Sequence, residues 1–346
     1  MFALSANLRL ARARAGTAKI WAVVKADAYG HGLERVQPAL EEADGLALLE
    51  LDQAARARER GWEKPILMLE GFFDETELET FTAYHLTTVV HCVEQVAILE
   101  KARLFSPLDV YIKLNSGMNR LGIRPADTGA VLRRLRESGN VGNVTLMSHF
   151  ADADGPGGVA EQMAVIEQVS QWFKLPVSCA NSAAILRFPQ TRTAWVRPGI
   201  MLYGCSPFPD ENAMSIGVTP VMTLSSQIIA VQEVEKGARV GYSGTFVAPR
   251  AMRVGVVACG YADGYPRHAP GGTPILVNGT RTGTLGRVSM DMLFADLSGL
   301  PDAGVGSSVT LWGHGLSADE VASSAGTVSY ELLCGLTQRV PVKVID

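Results

Sequence analysis

The chain has 346 residues, 47% hydrophobic and 19% charged, with a formal net charge of −4; that length fits one large or two ordinary domains, and the charge leaves no electrostatic footprint for nucleic acid. Its five cysteines, at 92, 179, 205, 259 and 334, form no C-x-x-C pair, so they read as buried thiols in a reducing cytoplasm and exclude a disulfide framework or zinc site. No apolar stretch reaches membrane-spanning length, and the segment from Met1 to Arg14 is too charged for a signal-peptide core, so the expectation is a cytoplasmic protein without membrane contact.

In chain order, short apolar runs alternate with amphipathic segments from Ile20 to about Gly199. The runs are 20–25, 45–51, 65–70, 86–91, 109–115, 144–149, 177–181 and 194–197, and the helical periods include 33–42, 52–60, 74–83, 93–102, 126–137 and 159–172. Repeated strand–helix units of this number predict a closed (β/α)8 TIM barrel over residues 1–215. A doubly wound open sheet is the alternative, but it usually has fewer strands. After Pro207 the helical period fades and β-branched runs separated by glycine take over. A mostly-β domain is therefore expected over 216–346, with strands at 222–234, 238–242, 252–258, 274–277 and 292–296, and turns at Lys236-Gly237 and Asn278-Gly279. A helix over 317–325 should begin with a capping box from Ser317 and Glu320.

In a barrel, chemistry gathers at the C-terminal strand ends, which here carry Lys25, Lys113 with Asn115, His149, Asn181 with Ser182, and Arg197. Lys25 stands out because lysine is scarce in this chain and this one ends an apolar run before Ala26-Asp-Ala-Tyr29-Gly-His-Gly32. Burial lowers the pKa of an ammonium and makes it an amine nucleophile toward a carbonyl; the bland alternative is a strand-end lysine that snorkels to water. Ser182, Gly199 and Ile200 fall after strands seven and eight, where barrels often bind phosphate. An amine nucleophile with a phosphate cradle suggests pyridoxal phosphate held through a lysine Schiff base. No Walker A loop, no G-x-G-x-x-G after a strand and no H-E-x-x-H is present, so nucleotide and metal sites lack support.

Two further segments make a resemblance specific: Ser116-Gly-Met-Asn-Arg120-Leu-Gly after the fifth run, and Gly260-Tyr261-Ala-Asp-Gly-Tyr-Pro-Arg267 in the second domain. With A-V-V-K-A-D-A-Y-G-H-G, S-H-F, N-S, V-R-P-G-I-M-L-Y-G, G-R-V-S-M-D and a late S-Y-E-L, the chain resembles the alanine racemases, fold-type III pyridoxal phosphate enzymes. The resemblance implies that Lys25 forms the internal aldimine. It also implies that Tyr29, Ser182, Gly199, Ile200 and Tyr330 hold the phosphate, with Asn181 and His149 beside the cofactor. Arg197 would face the pyridine nitrogen, Arg120 the phenolic oxygen, and Lys113 would be carbamylated to orient Arg120. Racemisation needs two bases flanking Cα, and the resemblance supplies Lys25 for the D-enantiomer and Tyr261 for the L-enantiomer, the latter helped by His149 and Arg197. Arg120, Met290 and Asp291 would bind the substrate, and Asp154 would line its access path. Tyr261 and Met290 would come from the partner in a homodimer with shared sites that supplies D-alanine for peptidoglycan.

The resemblance competes with a pyridoxal phosphate carrier, which lacks a second domain, and with a fold-related decarboxylase, whose ring nitrogen faces a carboxylate in place of Arg197. Some positions depart from the family pattern. The chain starts almost in a helix, Asp27 stands where asparagine is common, Asn115 where aspartate is frequent, and Arg339-Val-Pro-Val lacks the arginine that often follows that proline.

Overall fold

A computed structural model describes residues 1–345. The chain divides into two compact units, one of Phe2–Ala28 and Gly32–Leu202, the other of Tyr203 onward with Met1 and Tyr29–His31.

The first unit opens with α1 (Phe2–Ala15) and contains strands β1 (Lys19–Val23), β2 (Gly45–Leu48), β3 (Ile66–Met68), β4 (Leu86–Val90), β5 (Leu108–Lys113), β6 (Val141–Met147), β7 (Val177–Ser178) and β8 (Trp195–Val196). They pair in sequence order, all parallel, and β8 closes on β1 through Ile20 and Val196. This is the (β/α)8 barrel the alternation predicts. β2 and β4 are buried along their whole length, as strands covered on both faces must be. Trp21 ties the closure together, stacked on Trp195 with ring centroids 4.2 Å apart and donating from Nε1 to the Tyr111 hydroxyl at 3.0 Å.

The intervening helices are α2 (Lys25–Tyr29), α3 (Leu33–Val36), α4 (Leu51–Glu59), α5 (Glu77–Ala83), α6 (Val93–Lys101), α7 (Thr128–Glu137), α8 (Ala160–Phe173) and α9 (Ser182–Arg187). α7 buries Val131, Leu132 and Leu135 and exposes Arg133 and Arg136, the stripe that gave its period. The segment 33–42 is not one helix. It tightens into a 3-10 turn at Gln37–Leu40, because Pro38 has no N–H to continue the ladder. α5 starts at Glu77 and not at 74, since the Asp74 carboxylate accepts the N–H groups of Thr76 and Glu77 and holds a turn there.

The second unit closes strands β9 (Leu224–Val234), β12 (Met252–Val257), β13 (Pro274–Val277), β14 (Thr280–Leu285), β15 (Leu293–Asp296) and β16 (Ser308–Trp312) into an antiparallel barrel in the order β12-β15-β14-β13-β16-β9. A separate pair, β10 (Arg239–Val240) and β11 (Phe246–Val247), and helices α10 (Ala318–Ala325) and α11 (Ser329–Cys334) complete it. β14 escapes the sequence reading because Thr, Arg and Gly fill every position but the last, and β16 because Ser-Val-Thr-Leu-Trp is too short a run to stand out. The capping box of α10 is half formed. Ser317 Oγ accepts the Glu320 N–H at 3.2 Å, but the Glu320 carboxylate pairs with Arg281 of β14. The cysteine reading also needs correction: Cys179, Cys205 and Cys259 are buried, Cys92 is half-buried and Cys334 is exposed. Among the described residues no helix is long and apolar enough to cross a membrane.

Candidate active site

The segment after β1 is a single turn of left-handed helix. Ala26, Asp27 and Ala28 have φ of 53°, 51° and 54° with ψ near 50°, Tyr29 has φ of 52°, and Ala28 N–H donates to Val24 O at 2.8 Å. Each L-residue held this way costs about 1–2 kcal/mol, so small side chains suit it and other bonds must enforce it. Gly32 N–H donates to Asp27 O at 2.9 Å, and Leu33 N–H, the start of α3, donates to Asp27 Oδ1 at 2.8 Å. An asparagine oxygen could accept the same bond, which accounts for the tolerated departure at Asp27. Lys25 heads this turn, half-buried and two residues beyond the strand.

Cations crowd the same strand ends. Lys113 closes β5, and burial, with help from Arg197, Arg120 and Lys25, pushes its ammonium down to about 8. His149 is driven to about 3 by burial and by Arg197, Arg120 and Lys113, so its imidazole is neutral. Arg197 is buried, and burial lowers it to about 10. Its Nη1 donates to Ser178 O and Ser178 Oγ, both at 2.7 Å, and its Nη2 donates to Ser148 O at 2.5 Å and meets His149 Nδ1 at 3.4 Å. A guanidinium only donates, so Nδ1 is assigned as the acceptor and the ring proton to Nε2. Arg197 Nε–H stays outside all these contacts. A cleft of about 10 Å³ lies among Lys113, Asn115, Met118, Arg120, Ser148 and His149.

The loops after β5 and β6 are locked from α8. Gln162 Nε2 donates to Ser116 Oγ and His149 O, each at 3.0 Å, while its Oε1 accepts Ala151 N–H at 2.8 Å. Asn115 accepts from Gly117 and Asn119 N–H and donates from Nδ2 to Asn119 Oδ1. An aspartate could not make that last bond, which gives this departure a physical reason. Asp154 is exposed in the loop beyond β6.

At the far ends of β7 and β8, Asn181 caps α9 by accepting Ala184 N–H at 3.0 Å. Ser182 Oγ accepts the N–H groups of Gly199 at 2.9 Å and Met201 at 3.4 Å. Ile200 begins a 3-10 turn, so its N–H is a terminal donor without an intrahelical partner. The Ser182 hydroxyl thus gathers the N–H groups of Gly199 and Met201 beside the terminal Ile200 N–H, the kind of place where an anion can sit.

The remaining residues belong to the second unit. Tyr29 is buried, which pushes its hydroxyl above its ordinary pKa, and it stacks on Tyr203 with centroids 4.6 Å apart and lies 6.0 Å from the ring of Tyr330. Tyr261 occupies a short 3-10 turn, 36% exposed, and Met290 is 53% exposed. The Asp291 carboxylate accepts from Arg339 at 2.9 Å. The strand ends thus bring together Lys25, Lys113, Arg120, His149, Asn181, Ser182, Arg197, Gly199 and Ile200, whereas Tyr29, Tyr261, Met290, Asp291 and Tyr330 sit in the other unit. Ser148, Ser178, Gln162 and Tyr203 were not singled out from the sequence. Their partners lie on other strands or helices, so no local spacing signals them.

Residues 1–207 match the family model described as alanine racemase, N-terminal domain, and residues 221–344 that described as alanine racemase, C-terminal domain. An alanine racemase of Erwinia tasmaniensis is 54% identical over 99% of this chain and 96% of its own length. A catabolic alanine racemase of Salmonella typhimurium is 53% identical over 97% and 94%. The crystal structure of the biosynthetic alanine racemase from Pseudomonas aeruginosa superposes with a TM-score of 0.95 at 46% identity, over 98% of this chain and 96% of that one. With both family models matched and relatives similar over nearly their whole length, the chain belongs to the alanine racemase family of isomerases.

Proposed function

We propose that this protein interconverts L- and D-alanine with pyridoxal 5′-phosphate by a two-base mechanism. The observation that carries the reading is the buried Arg197, fixed through Ser148 and Ser178 with Nε–H left over, among the same strand ends as Lys25 and the Ser182 hydroxyl. These donors suit the cofactor. Ser182 with the N–H groups of Gly199 and Ile200, joined by the Tyr29 and Tyr330 hydroxyls, would hold its phosphate, with Asn181 shaping the cradle. Lys25 would hold it covalently. Arg197 would bind the pyridine nitrogen without protonating it, which distinguishes this site from a decarboxylase with a carboxylate there. When bound, pyridoxal phosphate withdraws electrons from the Cα–H bond of an amino acid attached to it.

The protein's own task is to move one proton between two faces of Cα. Lys25 Nζ takes or returns it on the D side and Tyr261 Oη on the L side. His149, oriented by Arg197 at Nδ1, would present Nε2–H as a donor to the Tyr261 oxygen and so ease loss of the phenolic proton. Met290 N–H and Arg120 would bind the substrate carboxylate, with Asp291 alongside. An ammonium at about 8 leaves an appreciable fraction of free amine near neutral pH. Lys113 can then add CO2, releasing one proton to give a carbamate. This would place an anion among Arg197, Arg120 and Lys25, which favours the exchange. We also propose domains of 1–215 and 216–346 in a cytoplasmic homodimer, with Tyr261 and Met290 of one copy completing the partner's site, and D-alanine directed to peptidoglycan.

The deciding experiment incubates the protein with pyridoxal phosphate and L-alanine in deuterated water and follows optical rotation and deuterium at Cα. Loss of rotation with deuterium incorporation supports the reading. Cofactor bound through Lys25 with neither change would overturn it.

A further inference from the structure

In the second unit, Tyr261 and Met290 stand on irregular turns, so something other than a sheet must fix their spacing. Part of it is backbone stitching. Tyr261 N–H donates to Ser289 O at 3.0 Å, Ala262 N–H to Met290 O at 2.9 Å, and Gly260 N–H to Asp263 Oδ2 at 2.8 Å. A Cβ on Gly260 would lie 2.3 Å from Met290 O and 2.4 Å from Ser289 O, so only glycine permits this approach. The stitching leaves two carboxylates, Asp263 and Asp291, on the two turns, where like charge would press them apart.

The C-terminal tail bridges them. Arg339 Nε donates to Asp263 Oδ1 at 2.7 Å and Arg339 Nη1 to Asp291 Oδ1 at 2.9 Å. Thr337 Oγ1 donates to Ala262 O at 2.7 Å and Thr337 N–H to Asp263 O at 3.2 Å. The tail runs so close that a Cβ on Gly264, whose φ is +102°, would come within 2.3 Å of Gly335 O. Burial tends to raise the Asp263 carboxyl, but the hydrogen bonds from Arg339 and Gly260 outweigh it and hold it below its usual range.

We propose that Arg339 is a positioning residue for the reaction: by holding the Asp263 and Asp291 carboxylates in one fork it fixes the Tyr261 phenol relative to the Met290 N–H. Base and carboxylate anchor then move as one piece. The inference rests on the proposed racemisation, and every contact it uses lies within one chain, whichever copy's barrel Tyr261 serves. Ion pairs to an arginine 45% exposed contribute little to stability, while small misplacements of a catalytic group cost much in rate. Loss of Arg339 should therefore disturb chemistry more than folding.

The test must separate Tyr261 from Lys25. The enantiomers have equal free energy, so kcat/KM is the same in both directions for any variant, and the informative quantity is deuterium exchange against inversion. Starting from D-alanine in deuterated water, Lys25 can still remove and return the α-hydrogen with retention, while delivery from the Tyr261 side fails. In Arg339→Ala, exchange with retention per inversion should rise roughly tenfold over wild type, KM for alanine should rise, and the thermal midpoint should hardly move. Asp291→Asn should give a smaller change that does not add to that of Arg339→Ala, and Arg339→Lys, which lacks the fork, should fall between wild type and Arg339→Ala. If wild type racemises and all three variants keep the wild-type ratio, the positioning role is overturned while the racemase reading stands. The same holds if rates fall only in step with a lowered thermal midpoint. A wild type that does not racemise sinks both.

Discussion

The two units solve the same problem, holding reactive groups still, by opposite means. In the barrel, Lys113, His149 and Arg197 end or follow β5, β6 and β8 of one closed parallel sheet, which sets their spacing before any side chain bonds. In the β-rich unit, Tyr261 and Met290 sit on turns, and their spacing depends on hydrogen bonds among residues as far apart as Gly260 and Arg339. The first arrangement should therefore tolerate loss of a single contact better than the second. A sheet spreads the constraint over many backbone bonds, whereas the turns concentrate it in a few polar pairs.

The sharpest way to break the comparison is to remove one proposed proton carrier from each unit. Lys25→Ala and Tyr261→Phe should each lower alanine racemisation by about 10²–10⁴-fold or more. If the sites are shared between copies, co-refolding the two inactive variants should restore activity, because one of the two sites in a mixed dimer then carries neither lesion. A mixture as inactive as its parts would refute shared sites.

Next in size is Arg197→Gln. Ser178 O and Ser148 O would lose charged donors, and leaving buried carbonyls short of partners costs about 1–3 kcal/mol, readable in urea denaturation. The same change should raise the pKa of His149 from about 3, because one of the cations that depress it is gone. NMR titration of the imidazole checks this. The wild-type sign follows from linkage. A histidine at about 3 when folded, against an ordinary 6.5, binds fewer protons folded than unfolded between those values, so stability falls as pH drops through that window. His149→Asn should flatten the slope there. An equal slope in the variant would assign it to the carboxylates.

Much of the barrel's half was legible in the sequence, and the reason is the same sheet. Period alone finds β1 to β8, and the fold then says that Lys25, Lys113, His149 and Arg197 share one rim. Period alone overextends these strands at their C-terminal ends because polar rim residues continue the apolar runs without sharing their ladder. What period could not show is how the rim is held. Gln162 binds the β6 loop from a helix face that looks like any solvated stripe, and Ser148 and Ser178 look like ordinary strand-end hydroxyls. In the second unit β14 lacks apolar alternation, and the alternation of β16 is too short to stand out. In the sequence the tail of Arg339 shows only a departure in motif, while the ion pairs it makes belong to contacts 48 and 76 residues away.

The smallest predicted effect bears on the one place where the barrel unit behaves like the other. The left-handed turn at Lys25 is not held by the sheet, and its cost falls on Ala26, Asp27 and Ala28. Glycine at Ala26 removes a Cβ penalty of about 1–2 kcal/mol and adds unfolded-state entropy worth about 0.4–1 kcal/mol. Since Ala26 is exposed, no packing is lost, and Ala26→Gly should be more stable by up to roughly 1 kcal/mol. Ala28 is fully buried, and losing its methyl contacts, worth about 0.8 kcal/mol, should bring Ala28→Gly close to neutral. Stability should not carry activity with it. A freer turn lets Lys25 sample more orientations, so the more stable Ala26→Gly enzyme should be the slower one, by less than tenfold. Thermal midpoints and kcat measured side by side decide it: if Ala26→Gly is no more stable than wild type, the turn is not strained.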